Sequence, residues 1–242
     1  MVTSRRTVLR AAAGTAAGMA IQAGPVLPAG AAVKPKVTAR RAKPALNPIF
    51  TGTNSPNGWP INTAADQGGS VWARPVAGAG TTVEVSIGDV EVILVHVIRR
   101  FHYEIDSLRP GEVIGFRKAA GLKGYQLNHA SGTAVELRPG WYPVGVRGGF
   151  FPAQLEVVRD ILADCEGLVS WGGDLSTPDE AHFQLDVPPS DERVATLAGK
   201  LRRWTATPGL GAGVIQNPAD RHRRTAALRV QRRQTADRRH SR

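Results

Sequence analysis

The stretch "NHASGTAVELRPGWYPVG" runs from Asn128 to Gly145 and carries one histidine, His129, with an acid seven residues later, Glu136. In a flat strand, residues seven apart face opposite sides. The Ser131–Gly132 pair can supply a bend or bulge that returns both side chains to one side. A helix would also align them, but Gly132, Thr133, Val135 and Pro139 argue against one. The stretch therefore reads as a turn feeding a strand. Alone, the pair suits a surface hydrogen bond as well as half of a metal site, so the surrounding chain has to decide.

Working outward, "TTVEVSIG" (81–88) alternates Val83, Val85 and Ile87 against polar neighbours, which predicts a strand. Residues 89–111 place Val90, Ile93, Leu94, Val97, Ile98, Phe101, Ile105 and Leu108 on one face. That is an amphipathic helix, capped by Asp89 and closed by Pro110–Gly111. "EVIGFRK" (112–118) reads as a strand, and 152–167 as a second helix ending at Gly167. "LVSWGGD" and "AHFQLDV" read as short strands. Residues 190–204 form a third helix, with Ser190 as N-cap and Asp191–Glu192 in its first turn. Residues 47–70, dense in Asn, Gly, Pro and Ser, read as loop. The sum is an α+β domain over 47–204, with helices packed on a small, mostly antiparallel sheet.

The net charge of +11 belongs to the ends. Residues 1–46 hold eight Lys/Arg and no acid, and 205–242 hold nine Arg and two Asp. The remaining 47–204 thus carry 31 − 8 − 9 = 14 basic against 20 − 2 = 18 acidic residues. A nucleic-acid enzyme places its positive charge on the folded body, so this distribution argues against one. At the N-terminus, "SRRTVLR" precedes a small, apolar, uncharged run and "AGA" at 29–31, a pattern of export signal over 1–31. Arg5–Arg6 resembles the twin-arginine form of that signal. The apolar run is short and rich in Gly and Ala for a bilayer core of ~30 Å, so no stable membrane span is expected after cleavage. Residues 32–46 read as a linker. The 205–242 tail reads as disordered and solvated, the alternative being adhesion to anionic envelope polymers. Cys165, the single cysteine, excludes an internal disulfide framework, and its helical spacing makes it a buried small hydrophobe.

Of the histidines in 47–204, His96 sits within the apolar helix and reads as structural, and His102 lies at that helix's surface or edge. His129 and His182 lie in polar, Gly-containing segments beside strands, where sites tend to be built. His182 follows Asp179 at minus three and Glu180 at minus two. Two imidazoles and a carboxylate, with a water, make the ligand set of a catalytic zinc site, and a further carboxylate can take the water's proton.

"NHASGTAVE" resembles the S-x-H-x-x-G-x-A-x-D signature of the zinc D-alanyl-D-alanine carboxypeptidases and related peptidoglycan peptidases, which share a fold with the hedgehog signalling domain. "GGD" (172–174) and "PDEAHFQ" (178–184) resemble the second half of that pattern, and "GFR" (115–117) resembles the segment before the first. The three occur in the family's order over about 85–204. The resemblance implies the hedgehog/DD-peptidase fold, with Zn2+ on His129, Glu136 and His182 and Asp179 as general base. Arg117 would bind the substrate carboxylate or steady the oxyanion. Glu180 competes for the base role: in an extended segment it shares a side with His182, whereas Asp179 does so only if the chain turns, as Pro178 suggests. The implied substrate is a peptidoglycan stem peptide, cut by an exported zinc metallopeptidase. That enzyme would be a D-alanyl-D-alanine carboxypeptidase or an L-alanyl-D-glutamate-type endopeptidase. Two positions depart from the signature: Glu136 replaces its Asp, and Leu127 stands where it has Ser. These departures motivate a second reading, a catalytically weak or inactive wall-binding module. A serine hydrolase built on Ser131 lacks a G-x-S-x-G elbow.

Overall fold

Residues 49–240 are described by the structure, a computed structural model. The expected signal at 1–31 and linker at 32–46 lie outside the described residues. The described residues open with a two-stranded antiparallel pair, β1 (Phe50–Asn54) and β2 (Pro60–Asn62), followed by a hairpin of β3 (Val71–Val76) and β4 (Thr81–Ser86). Helix α1 (Asp89–Glu104) leads to β5 (Val113–Ile114), a 3-10 helix (Gly124–Ser131) and β6 (Ala134–Leu137). Then come α2 (Pro152–Asp164), β7 (Val169–Trp171), a short 3-10 turn (Gly172–Asp174), β8 (His182–Leu185), α3 (Arg193–Ala206) and α4 (Arg221–His240). Four strands form one antiparallel sheet in the order β5-β6-β8-β7. The architecture is α+β with small antiparallel sheets. Among the described residues, no helix is long and apolar enough to cross a membrane.

The apolar stripe of α1 (Ile93, Leu94, Val97, Ile98 and Phe101) is fully buried in the core shared with α2, α3 and the sheet. Strand alternation divides the sheet. Phe183 and Leu185 of β8 and Val135 and Leu137 of β6 enter that core. His182, Gln184 and Glu136 therefore occupy the opposite face. They are buried as well, because the 3-10 helix and the loop at 55–59 cover that side: Asn57 Nδ2 donates to the Thr133 hydroxyl and to the Leu185 carbonyl, both at 2.8 Å.

Several expected boundaries shift. Residues 47–70 are not all loop, since they contain β1 and β2. Every residue of β1 is exposed, so no apolar alternation marks it. The strand expected at 112–118 shrinks to two residues. Beyond Ile114 the chain leaves the sheet, and the Phe116 N–H donates to the Glu84 carbonyl of β4 at 2.8 Å. Helix α1 stops at Glu104, ahead of Pro110, where the His102 Nδ1 accepts the Leu108 N–H at 2.9 Å. Its cap position is Gly88, with Asp89 inside the first turn, and α3 is preceded by Glu192 rather than Ser190.

The largest correction concerns the tail. Residues 221–240 form a helix, not a disordered appendage. Its composition is poor in apolar residues, but Ala227, Val230 and Gln234 share one buried face against α2 and β7. Gln234 Nε2 donates to the carbonyls of Val169 (2.8 Å) and Gly167 (3.2 Å). Arg223 reaches Asp160 at 2.6 Å and Asp164 at 3.0 Å on α2, where both acids also pair with the fully buried Arg100 of α1, at 2.8 and 2.5 Å. Arg223, Arg224 and Arg238 thus meet acids of the domain, which offsets part of the self-repulsion that disorder would relieve.

Candidate metal centre

His129 lies in the last turn of the 3-10 helix, three residues before its cap Gly132, which adopts φ +69°. The left-handed turn requires glycine for a second reason: a Cβ there would lie 2.6 Å from the Ser86 backbone nitrogen. The Gly132 N–H donates to the His129 carbonyl and the Thr133 N–H to that of Asn128, both at 3.0 Å. This closes the helix and launches β6, so the change of direction anticipated at Ser131–Gly132 is present, as a helix stop rather than a bulge. Glu136 then sits in register opposite His182 on β8.

His129, Glu136 and His182 are all buried and offer ligand atoms within 4.8 Å of one another. The donor chemistry fits a cation. His129 donates through Nδ1 to the Gly115 carbonyl at 2.6 Å, leaving Nε2 as the lone-pair nitrogen. His182 donates through Nε2 to Gln184 Oε1 at 2.9 Å, leaving Nδ1. Both remaining nitrogens, Nε2 of His129 and Nδ1 of His182, are buried without a hydrogen-bond partner. An orphaned buried acceptor costs roughly 1–3 kcal/mol, and two beside a carboxylate are what a metal ion would satisfy. A second ring nitrogen tied to a carbonyl is the usual support of a ligating histidine. Because the support of His129 is a backbone carbonyl, it does not depend on the residue at 127.

Charge states agree with that donor set. Burial, reinforced by the neighbouring His129, pushes His182 down to about 3, so its lone pair is available at neutral pH. Burial would raise the Glu136 carboxyl, but His129, Arg117 and His182 overcome it and hold it below its ordinary value. The two imidazoles and one carboxylate could therefore hold a divalent metal.

The remaining expected residues separate clearly. Arg117 Nη1 lies 3.4 Å from Glu136 Oε1, and its side chain is 43% exposed, placing a cation at the mouth of the group. Asp179 sits on a turn that precedes β8. Its N–H donates to the Gly172 carbonyl at 2.9 Å and its carbonyl accepts the His182 N–H at 3.0 Å. The turn that Pro178 suggested is thus present. Asp179 Oδ2 accepts the Tyr125 hydroxyl at 2.9 Å. Burial and the nearby Glu136 raise the Asp179 carboxyl despite that bond. Glu180 is engaged elsewhere: its two oxygens accept the N–H groups of Gly148 (2.9 Å) and Gly149 (2.8 Å). It ties the 145–149 loop to the turn rather than facing the three ligands.

Tyr125 is the residue that sequence reasoning missed. Its ring meets the edge of His182 at 4.9 Å between centroids, and burial with the Asp179 bond raises its phenol. Only its place four residues before His129 marked it, and nothing in that spacing signals a role. Ser131 hydrogen-bonds Ser55, Thr133 and the Asn128 carbonyl rather than an imidazole. Cys165 is fully buried, with its thiol pushed up by burial. His96 is a buried histidine 3.4 Å from Asp164. No family model, curated protein or solved structure matches the chain.

Proposed function

We propose that the protein is an exported zinc metallopeptidase of the hedgehog/DD-peptidase fold that hydrolyses peptidoglycan stem peptides, most simply as a D-alanyl-D-alanine carboxypeptidase. The observation that carries this reading is the pair of orphaned imidazole nitrogens, His129 Nε2 and His182 Nδ1, grouped with Glu136 and flanked by a second carboxylate. The sequence resemblance supplies the substrate class and the identity of the metal.

His129, Glu136 and His182 would hold the zinc, which when bound polarises a carbonyl and brings the pKa of water toward ~7. Asp179 is the general base. Tyr125 occupies its Oδ2 and sets the carboxylate's orientation, leaving Oδ1 to take a proton from the attacking water and return it to the departing amine. A carboxyl raised by burial is better matched to that exchange than an ordinary aspartate. Arg117, half-exposed beside Glu136, binds the substrate's terminal carboxylate or steadies the oxyanion. Glu180, with both oxygens committed to backbone N–H groups, is a poor competitor for the base role.

The test is to incubate the zinc-loaded full chain with peptidoglycan and with isolated stem peptides, and to identify the products. Release of D-alanine, abolished by a chelator and by Asp179→Asn, supports the carboxypeptidase. Internal stem cleavage with the same dependences moves the bond but keeps the mechanism. Tight zinc binding with no cleavage leaves a wall-binding module, and cleavage that survives chelation overturns the metal reading.

A further inference from the structure

We infer that Gln184 is a positioning residue that sets how tightly a metal is held, acting through His182; the inference rests on the metal-centre reading above. Gln184 lies two residues along β8 on the same face, almost fully buried. Its Oε1 accepts two donors, His182 Nε2–H at 2.9 Å and Asn128 Nδ2–H at 2.8 Å, while its Nε2 donates to Asp186 Oδ1 at 3.1 Å. Asn128 is held in turn, its Oδ1 accepting the Asn57 N–H at 3.3 Å. Two donors at one end and a carboxylate at the other allow the amide one orientation.

That orientation decides the histidine's tautomer. With Oε1 facing it, Nε2 of His182 must carry the proton and Nδ1 must carry the lone pair. A flipped amide would present NH2 to Nε2, force the proton onto Nδ1 and remove a ligand atom. Asp186 is exposed, so part of the lock lies at the surface, outside the ligand group.

Zinc affinity of the full chain, measured by competition with a chromophoric chelator, tests this, with folding monitored by circular dichroism. Gln184→Leu keeps the shape and removes the acceptor, and affinity should fall by ~10–100-fold. The double variant Gln184→Glu/Asp186→Asn restores an acceptor toward His182 and a donor behind it, and should recover most of the loss. Asp186→Ala, at an exposed position, should cost several-fold and keeps the test available if Gln184→Leu does not fold. Affinity within twofold of wild type in Gln184→Leu or Asp186→Ala overturns the inference. So does a folded double variant that recovers nothing. A wild-type chain that binds no zinc fails at the earlier step and removes the metal-centre reading itself.

Discussion

Glu136 and His182 stand directly opposite one another on β6 and β8. An antiparallel register pair brings side chains ~5 Å apart on one face of a sheet, so two potential ligands far apart in sequence are joined by backbone hydrogen bonding alone. The longer arm of Glu136 is accommodated within that pair, and the carboxylate still lies 3.4 Å from His129 Nε2. The third residue, His129, is delivered by the 3-10 helix that Gly132 terminates.

Replacing Asp179 separates chemistry from binding. Asp179→Asn keeps a Tyr125 partner and most of the turn but cannot accept a proton. Hydrolysis should fall by ~10²–10⁴-fold, the usual worth of a general base, while zinc content stays at the wild-type level. Tyr125→Phe should cost less, because it loosens the base without removing it. Steady-state kinetics with parallel metal analysis checks both.

Glu180 should behave as a structural clamp. Glu180→Ala strands the Gly148 and Gly149 N–H groups, both hydrogen-bonded to the carboxylate. Such a loss costs roughly 1.5–3 kcal/mol. Urea unfolding should show that loss with the metal stoichiometry intact. An undiminished stability joined to a complete loss of turnover would instead make Glu180 the base.

Helix α4 should behave as part of the domain. Its amides should exchange slowly, and Arg223→Ala should destabilise the protein by ~1.5–3 kcal/mol, the worth of hydrogen bonds to charged groups. Arg100→Ala should cost more, ~3–5 kcal/mol, because it leaves Asp160, Asp164 and Glu104 without their fully buried partner. Fast exchange throughout α4 would contradict the docked helix.

How much of this was legible in the sequence depended on periodicity and on locality. The stripe of α1 and the alternation of β4 were readable because burial repeats at the period of the element. Gly132 and Pro178 correctly marked two changes of direction near the site. Tyr125 was not readable: its partner, Asp179, lies far along the chain and the two meet only through the fold. Helix α4 failed for a related reason. Its stability comes from a buried Ala227–Val230–Gln234 face and from acids on α2, and a charge-rich segment assessed alone looks unable to fold. The rival carboxylates Asp179 and Glu180 were separable only once the Gly148–Gly149 N–H pair had claimed one of them.

Acid should destabilise the metal-free protein in two stages. His182, at about 3, and His96, also lowered by burial, take up protons less readily in the folded protein than in the unfolded chain, where their ordinary value is 6.5. The unfolded state therefore binds more protons, and stability declines as the pH falls below 6.5. Asp164 adds the second stage. Burial would raise it, but His96, Arg100 and Arg223 hold it at about 2 against an ordinary 3.8. A depressed carboxyl contributes stability above 3.8 that is lost as the pH falls toward 2. Denaturation of chelator-treated protein at a series of pH values should show this decline, and a flat profile from 7 to 3 would contradict the assignments.

The central claim is that His129, Glu136 and His182 form one metal site, and zinc stoichiometry tests it most directly. The full chain, stripped with chelator, dialysed against zinc and freed of excess ion, should retain one zinc per chain. It should melt at a higher temperature than the stripped protein, since an ion held by the folded chain and not by the unfolded one stabilises the fold. Glu136→Gln and His182→Ala should lose both the ion and the shift while remaining folded. A wild-type chain that retains no zinc, or variants that retain as much as wild type, would contradict the account.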